Sequence, residues 1–410
     1  MVYVIDAKSY EDAMLWEERH TYSLPKSEME RRWSGLRKRM SEKGIDYLLF
    51  QSQNRYVGGY FRYLTDMPGA NYHITAVFPL DGDMSIITHG APATRPPAPD
   101  DRGVRERIVT PAFPNTWWED AWDANKAIEV MNRNKPRKVG LVGLGNMSAA
   151  LSENIRKGLP GVDIVAATDL VDELRMVKSE EELKLHRQAA YMHEMSYEFA
   201  KNAIRPGRTA YEVIQEIRYE QLKVGSEEQQ IAITYGTFGG PKYHQMSWGN
   251  THARRPFKRG DVIDMLLMES SVAGGYWYDL RRMLSLGPVP REMQEAYDIV
   301  KEARRIMAEN LKVGQKVGVA LDASDAYMKS KGLPPEPRMG GHGQGLDLAE
   351  RPVIRYDEPA ILKPGMVIIP HPTAFTKKIE AVIGDNYVIT NAGAVPLYKS
   401  LFDDDEIAVL

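Results

Sequence analysis

Nine histidines and no cysteine bound the chemistry open to this 410-residue chain. Thiolate nucleophiles, disulfides and Cys-ligated metal centres are excluded together, so any metal must be held by His, Asp or Glu. Four segments place such residues unusually. In KRGDVIDMLLMESSVAGGYWYDLRRMLSLG, residues 258–287, Glu269 precedes a Gly274-Gly275 turn and Asp279 follows it. Read as a hairpin, this segment turns both carboxylates to one side of a sheet. The plain alternative is two rim carboxylates paired with Arg281 and Arg282. In MGGHGQGLDLAERP, residues 339–352, four glycines surround His342, which predicts a tightly bent backbone and an imidazole open to a ligand. PGMVIIPHP, Pro364 to Pro372, ends an apolar run with His371, and KIEAVIGDNYVIT, residues 378–390, breaks another with Glu380 and Gly384-Asp385. Imidazoles titrate near neutral pH and so suit proton transfer.

The elements that must position these residues are legible from periodicity. PKSEMERRWSGLRKRMSEK, residues 25–43, reads as an amphipathic helix ended by Gly44, followed by a buried strand in GIDYLLF. HITAVF and MSIITH flank Asp81-Gly82-Asp83 as a hairpin. Further strands are expected in KVGLVG and VDIVAAT, so residues 1–170 read as an α/β domain. Residues 171–410 form a second domain. It opens on a capping box, Ser179 with Glu182, and a long helix with the apolar stripe Leu185, Ala189, Met192, Phe199 and Ala203. His186 and His193 on that helix read as surface or core residues rather than ligands. IRPGRTAYEVIQEI, from Ile204, is echoed by LKVGQKVGVALDAS, from Leu311, which hints at two related halves.

Composition narrows the class. Hydrophobic content of 43%, charged content of 27% and a formal charge of −3 fit a soluble globular protein and give no reason to expect nucleic acid or an anionic membrane as partner. The first residues lack the pattern of a secretory signal, and no apolar run is long enough to span a bilayer, so a cytoplasmic location is the default expectation.

The order of these motifs, GY-x-x-D-x-x-R, then GHG-x-GL, then PGM, then VIT-x-x-G, resembles the pita-bread superfamily of methionine aminopeptidase, aminopeptidase P, prolidase and creatinase. NRYVGGYFRYLTD and LRMVKSEEEL resemble its creatinase/prolidase branch. The resemblance implies an α/β N-terminal domain plus an α+β C-terminal pita-bread domain with an internal pseudo-two-fold repeat. It also implies a dinuclear site of two Asp, one His and two Glu, and here the set is broken. Asp279 and His342 match, but Met268 stands eleven residues before Asp279 where an Asp is implied, with Glu269 next to it. His371 takes the place of the first Glu, Gly384 that of the last, and Ala349 that of a further His.

Two readings of the remaining set stay open. Asp279, His342 and His371 form the ligand set of one divalent metal (Fe, Zn or Mn). Alternatively no metal is bound, as in creatinase, and histidines do acid–base work directly. The resemblance implies that His252 is the main proton-transfer residue, with His244 close enough to take that place. His342 or Glu269 would donate to the leaving group, while Trp248, Tyr276 and His244 would bind substrate.

The leading expectation is hydrolysis of a C–N bond in a small, polar, nitrogen-containing metabolite, in the manner of creatinase or ectoine hydrolases. The alternatives are an Xaa-Pro metallodipeptidase, a lyase of the dimethylsulfoniopropionate-cleaving type and a non-catalytic binding module. A small-molecule substrate and a homodimer are the partners implied.

Overall fold

The computed structural model describes residues 22–52, 59–69, 72–111, 120–247, 255–397 and 405–410. Two compact units divide the chain at Arg175/Met176. In the first, a seven-stranded sheet has the order β4-β5-β3-β2-β1-β6-β7. Its strands are β1 (Tyr47–Ser52), β2 (Ile74–Pro79), β3 (Met84–His89), β4 (Ala93–Arg95), β5 (Val104–Thr110), β6 (Lys138–Val142) and β7 (Asp163–Ala166). β1 is buried along its whole length, as its unbroken apolar start requires, and pairs antiparallel to β2 and parallel to β6. Helix α1 (Lys26–Lys43) stops at Gly44, whose φ of 65° is the left-handed C-cap that glycine adopts without strain.

The second unit carries the motifs. Ser179 and Glu182 form the expected capping box and launch α2 (Glu180–Ala203). The buried stripe of α2 runs Leu185, Ala189, Met192, Ser196, Ala200 and Ala203, while Phe199 lies half-buried beside it. The internal echo has a structural counterpart. Gly207 and Gly314, both at positive φ, follow α2 and α4 (Arg291–Asn310) and lead into α3 (Ala210–Lys223) and α5 (Gly318–Ser330).

Two five-stranded sheets complete the unit. The first, β19-β11-β10-β8-β9, contains β8 (Ser226–Thr237), β9 (Tyr243–Met246), β10 (Asp261–Ser271), β11 (Trp277–Ser285) and β19 (Ala408–Val409). The second, β13-β12-β14-β17-β18, contains β12 (Gly341–Gly343), β13 (Glu350–Val353), β14 (Val367–Pro370), β17 (Tyr387–Thr390) and β18 (Gly393–Pro396). β15 (Thr373–Phe375) and β16 (Glu380–Val382) form a separate pair.

Period-two alternation splits the first sheet into two faces. Ile231, Ile233, Met265, Leu267 and Leu280 share a core with Ala189, Tyr197 and Ile214 of α2 and α3. The intervening residues of the same strands face the other way, and there the cavity lies.

Candidate active site

A cavity of about 300 Å³, at the lower end of the range for ligand pockets, opens over that second face. Register decides which side chains reach it. Met268 pairs with Asp279 and Leu266 with Arg281 across β10 and β11, and all four line the cavity together with Asp264. Thr234 and His244, partners across β8 and β9, join them, with Thr234 Oγ1 2.7 Å from His244 Nδ1. His342 on β12 and His371, just past β14, enter from the second sheet.

Glycine is what lets β12 deliver His342. A Cβ on Gly341 would lie 2.0 Å from the Ile369 carbonyl oxygen, and one on Gly343 2.5 Å from that of Arg351. Only a bare backbone fits between β13 and β14. The glycines around His342 therefore serve strand packing more than loop flexibility, and the imidazole is largely buried. His371 is fixed by its own N–H, which donates to the Gly340 carbonyl at 2.9 Å. Backbone bonds in both directions join Arg281 and Gly384, and Asn386 Nδ2 donates to the Asp279 carbonyl at 2.7 Å. Asp385 is not a site group. Arg282 holds one of its oxygens at 2.6 Å and Arg304 holds the other.

The electrostatics follow from burial. His342 Nδ1 lies 2.9 Å from the Gly343 carbonyl; donation there leaves the Nε2 lone pair facing Asp279 Oδ2 at 3.8 Å. That separation is too long for a direct hydrogen bond and leaves room for one bridging atom. Burial pushes the Asp279 carboxyl up to about 7, against the opposing pull of Arg281. Its Oδ1 has no hydrogen-bond partner among the described residues. Burial lowers both imidazoles, and His371 falls well below the ordinary value, with His342 and Arg281 adding to the effect. The two rings stand edge to face, centroids 5.3 Å apart.

These residues do not fit the metal site implied by resemblance. Among the described residues no group of three His, Cys, Asp or Glu side chains is placed to hold a metal ion. Asp279, His342 and His371 share the cavity without closing into a ligand set. Met268 offers a thioether where a carboxylate is implied. Gly384 offers nothing, although a Cβ there would come within 3.4 Å of the Cβ atoms of both Arg281 and His371.

Other expectations are corrected by the pleat. Glu269 does not share a face with Asp279, because Met268 is the residue paired to Asp279 and the next residue points oppositely. Glu269 instead faces α2, fully buried, with Ser196 Oγ 2.5 Å and His193 Nδ1 3.3 Å away. Tyr276 also lies away from the cavity; it is buried and donates to Glu182 Oε1 at 2.8 Å. Trp277 and Tyr278 are core residues too. His244 is brought to the cavity, whereas Trp248 and His252 fall outside the described residues. Sequence reasoning missed the cavity roles of Asp264 and Arg281. Arg281 does not pair with a rim Glu269; its Nε and Nη2 donate to the two Asp264 oxygens at 2.9 and 2.6 Å. The available signal was position, since Arg281 lies two residues beyond Asp279 on one strand.

The second unit thus brings a buried carboxylate, Asp279, and two buried imidazoles, His342 and His371, to one cavity. Residues 184–391 match metallopeptidase family M24, and residues 32–177 match the creatinase/prolidase N-terminal domain. The chain belongs to metallopeptidase family M24, and is a hydrolase of C–N bonds. An Xaa-Pro dipeptidase of Pyrococcus horikoshii is 24% identical over 338 residues, 80% of this chain and 90% of that protein. Among solved structures, a Thermococcus sibiricus prolidase matches with a TM-score of 0.75 at 20% identity, covering 95% of this chain and all of that one. A Bacillus anthracis Xaa-Pro dipeptidase matches at 0.73 and 19%, covering 93% and 100%. These likenesses support the pita-bread fold expected from the motifs. No helix among the described residues is long and apolar enough to cross a membrane.

Proposed function

We propose that the chain cleaves the amide C–N bond of a dipeptide-sized substrate, with Xaa-Pro dipeptides the first class to test. The names of the relatives support this substrate class over the creatinase-like metabolite that the sequence put first. The observation that carries the chemistry is His342 Nε2 facing Asp279 Oδ2 across 3.8 Å at the cavity wall. A water in that gap donates to both acceptors. His342 takes its proton as it adds to the carbonyl and returns that proton to the leaving nitrogen, while ionised Asp279 holds the water in line. No step of this scheme needs a metal.

The test is mass-spectrometric detection of free proline from a panel of Xaa-Pro dipeptides. Release by the parent protein and its loss in a folded His342→Ala variant are expected. Failure of every dipeptide favours a second reading, hydrolysis of a small guanidino or amide metabolite. Met268 and Gly384 support that reading, because both remove the carboxylates that a metallodipeptidase site requires.

A further inference from the structure

We infer that Arg281 supplies the fixed positive charge facing the scissile carbonyl oxygen, in the region where a family metal centre would place its own. The inference rests on the hydrolase reading above.

Three observations converge on this side chain. The first is position. Arg281 lines the cavity with Asp279, His342 and His371, and its backbone is bonded both ways to Gly384. A side chain on residue 384 would start 3.4 Å from the Arg281 Cβ, in ordinary contact with it, so the guanidinium stem borders the ground where the last carboxylate of a metal site would begin. The second is preorganisation. Asp264 grips Nε and Nη2 as a fork, and Glu380 lies 3.6 Å from Nη2. Nη1 makes no hydrogen bond to another described residue, and the side chain keeps 20% of its surface exposed. A guanidinium held on one edge with a donor left on the other is the geometry of an anion-stabilising clamp.

The third is charge. With Met268 and Gly384 in place of carboxylates, no group of three His, Asp or Glu side chains among the described residues is placed to retain a divalent cation. Asp264 and Glu380 are committed to Arg281, and Asp279 faces His342. Arg338, the other cation lining the cavity, is exposed on the loop ahead of β12 and has no comparable fork to fix it. Arg281 Nη1 therefore donates to the carbonyl oxygen, and more strongly to the oxyanion formed as water adds; no proton leaves the guanidinium.

The experiment joins metal binding to turnover. Chelator-treated parent protein is titrated with Mn²⁺ by calorimetry and its metal content measured by elemental spectrometry. No binding at the cavity is expected. One Mn²⁺ per chain whose binding is lost in His342→Ala would overturn the inference. In parallel, Arg281→Lys, Arg281→Met and the paired Arg281→Met/Asp264→Leu, which removes the forking carboxylate and leaves only the part-exposed Glu380 without its cation, are assayed on the cleaved substrate. The expected result is a kcat loss of roughly 10²–10³-fold with KM less affected, and partial recovery of Arg281→Met on adding guanidinium ion. Full activity in the folded Arg281 variants alongside an inactive His342→Ala would sink the arginine role and leave the hydrolase reading intact. If no substrate is cleaved by the parent protein, the proposed substrate class and the His342–Asp279 scheme fail, and the Mn²⁺ titration still decides between arginine and metal.

Discussion

Met268 stands directly across β10 and β11 from Asp279, so a thioether faces the buried carboxylate. This pairing explains why one carboxylate alone cannot organise a cation here, and it makes the absent site rebuildable. Met268→Asp with Gly384→Glu restores acidic side chains on both sides of Asp279. Without metal, the crowded buried carboxylates repel and the melting temperature falls. With Mn²⁺ the melting temperature recovers, as the unfolding free energy gains about 2.7 kcal/mol at a free metal concentration of about 100 Kd. Calorimetry and thermal melts check this, and a double variant that stays blind to Mn²⁺ shows that more than two missing ligands separates the cavity from a metal centre.

The pH dependence of turnover should follow Asp279. Burial raises its carboxyl to about 7, and the proposed mechanism needs it ionised to hold the attacking water. Burial lowers His342, so its Nε2 is already a free acceptor at neutral pH. The rate is therefore expected to rise with pH and level off above about 7. Asp279→Asn loses that rise and most of the activity, and a parent profile that falls through this range would put the catalytic proton elsewhere.

Gly341 gives a test of delivery rather than chemistry. Its φ of 150° and the 2.0 Å approach of a hypothetical Cβ to the Ile369 carbonyl leave no room for alanine. Gly341→Ala forces β12 away from β14 and costs roughly 1–3 kcal/mol from overpacking. Denaturant melts should show the loss. Turnover at temperatures where the variant is still folded should fall as well, since His342 is the next residue on the displaced strand. A variant of unchanged stability would mean that the strand accommodates a side chain at Gly341.

Local signals in the sequence were sufficient for the elements that position the site. The capping box at Ser179, the Gly44 helix stop and the Gly274-Gly275 hairpin each depend on a few neighbouring residues, and each forms as the pattern implies. The face occupied by Glu269 was less legible because it depends on register, where an offset of one residue inverts the side chain. The eleven-residue spacing from Asp279 already pointed to Met268; the carboxylate next to it belongs to the opposite face. The Asp264–Arg281 fork needs that register too, since it runs diagonally between strands. Tyr276 reads as an amphipathic pocket residue until Glu182 of α2, distant in sequence, is seen to take its hydroxyl.

The misassigned carboxylate has its own consequence for stability. Glu269 is fully buried, and burial raises it to about 7 from its ordinary value of 4.5, with Ser196 the first of the groups opposing that rise. Below pH 4.5 the group is protonated in both folded and unfolded chains. Between 4.5 and 7 the unfolded chain releases the proton and the folded chain keeps it, so stability falls as pH rises, by roughly 3 kcal/mol over the interval. Above 7 the loss levels off. Glu269→Gln retains an oxygen for Ser196 and cannot ionise, so its stability relative to the parent should increase across the same interval. Asp279 contributes the same slope to both proteins. His186, lowered by burial to about 3, contributes the opposite slope below 6.5 to both, while His193, also lowered to about 3, touches Glu269, so the difference reads the Glu269–His193 pair. Urea melts of the two proteins at pH 4.5, 6 and 8 measure it. A difference that does not change with pH would mean that Glu269 is ionised in the folded core, with a counter-charge closer than His193.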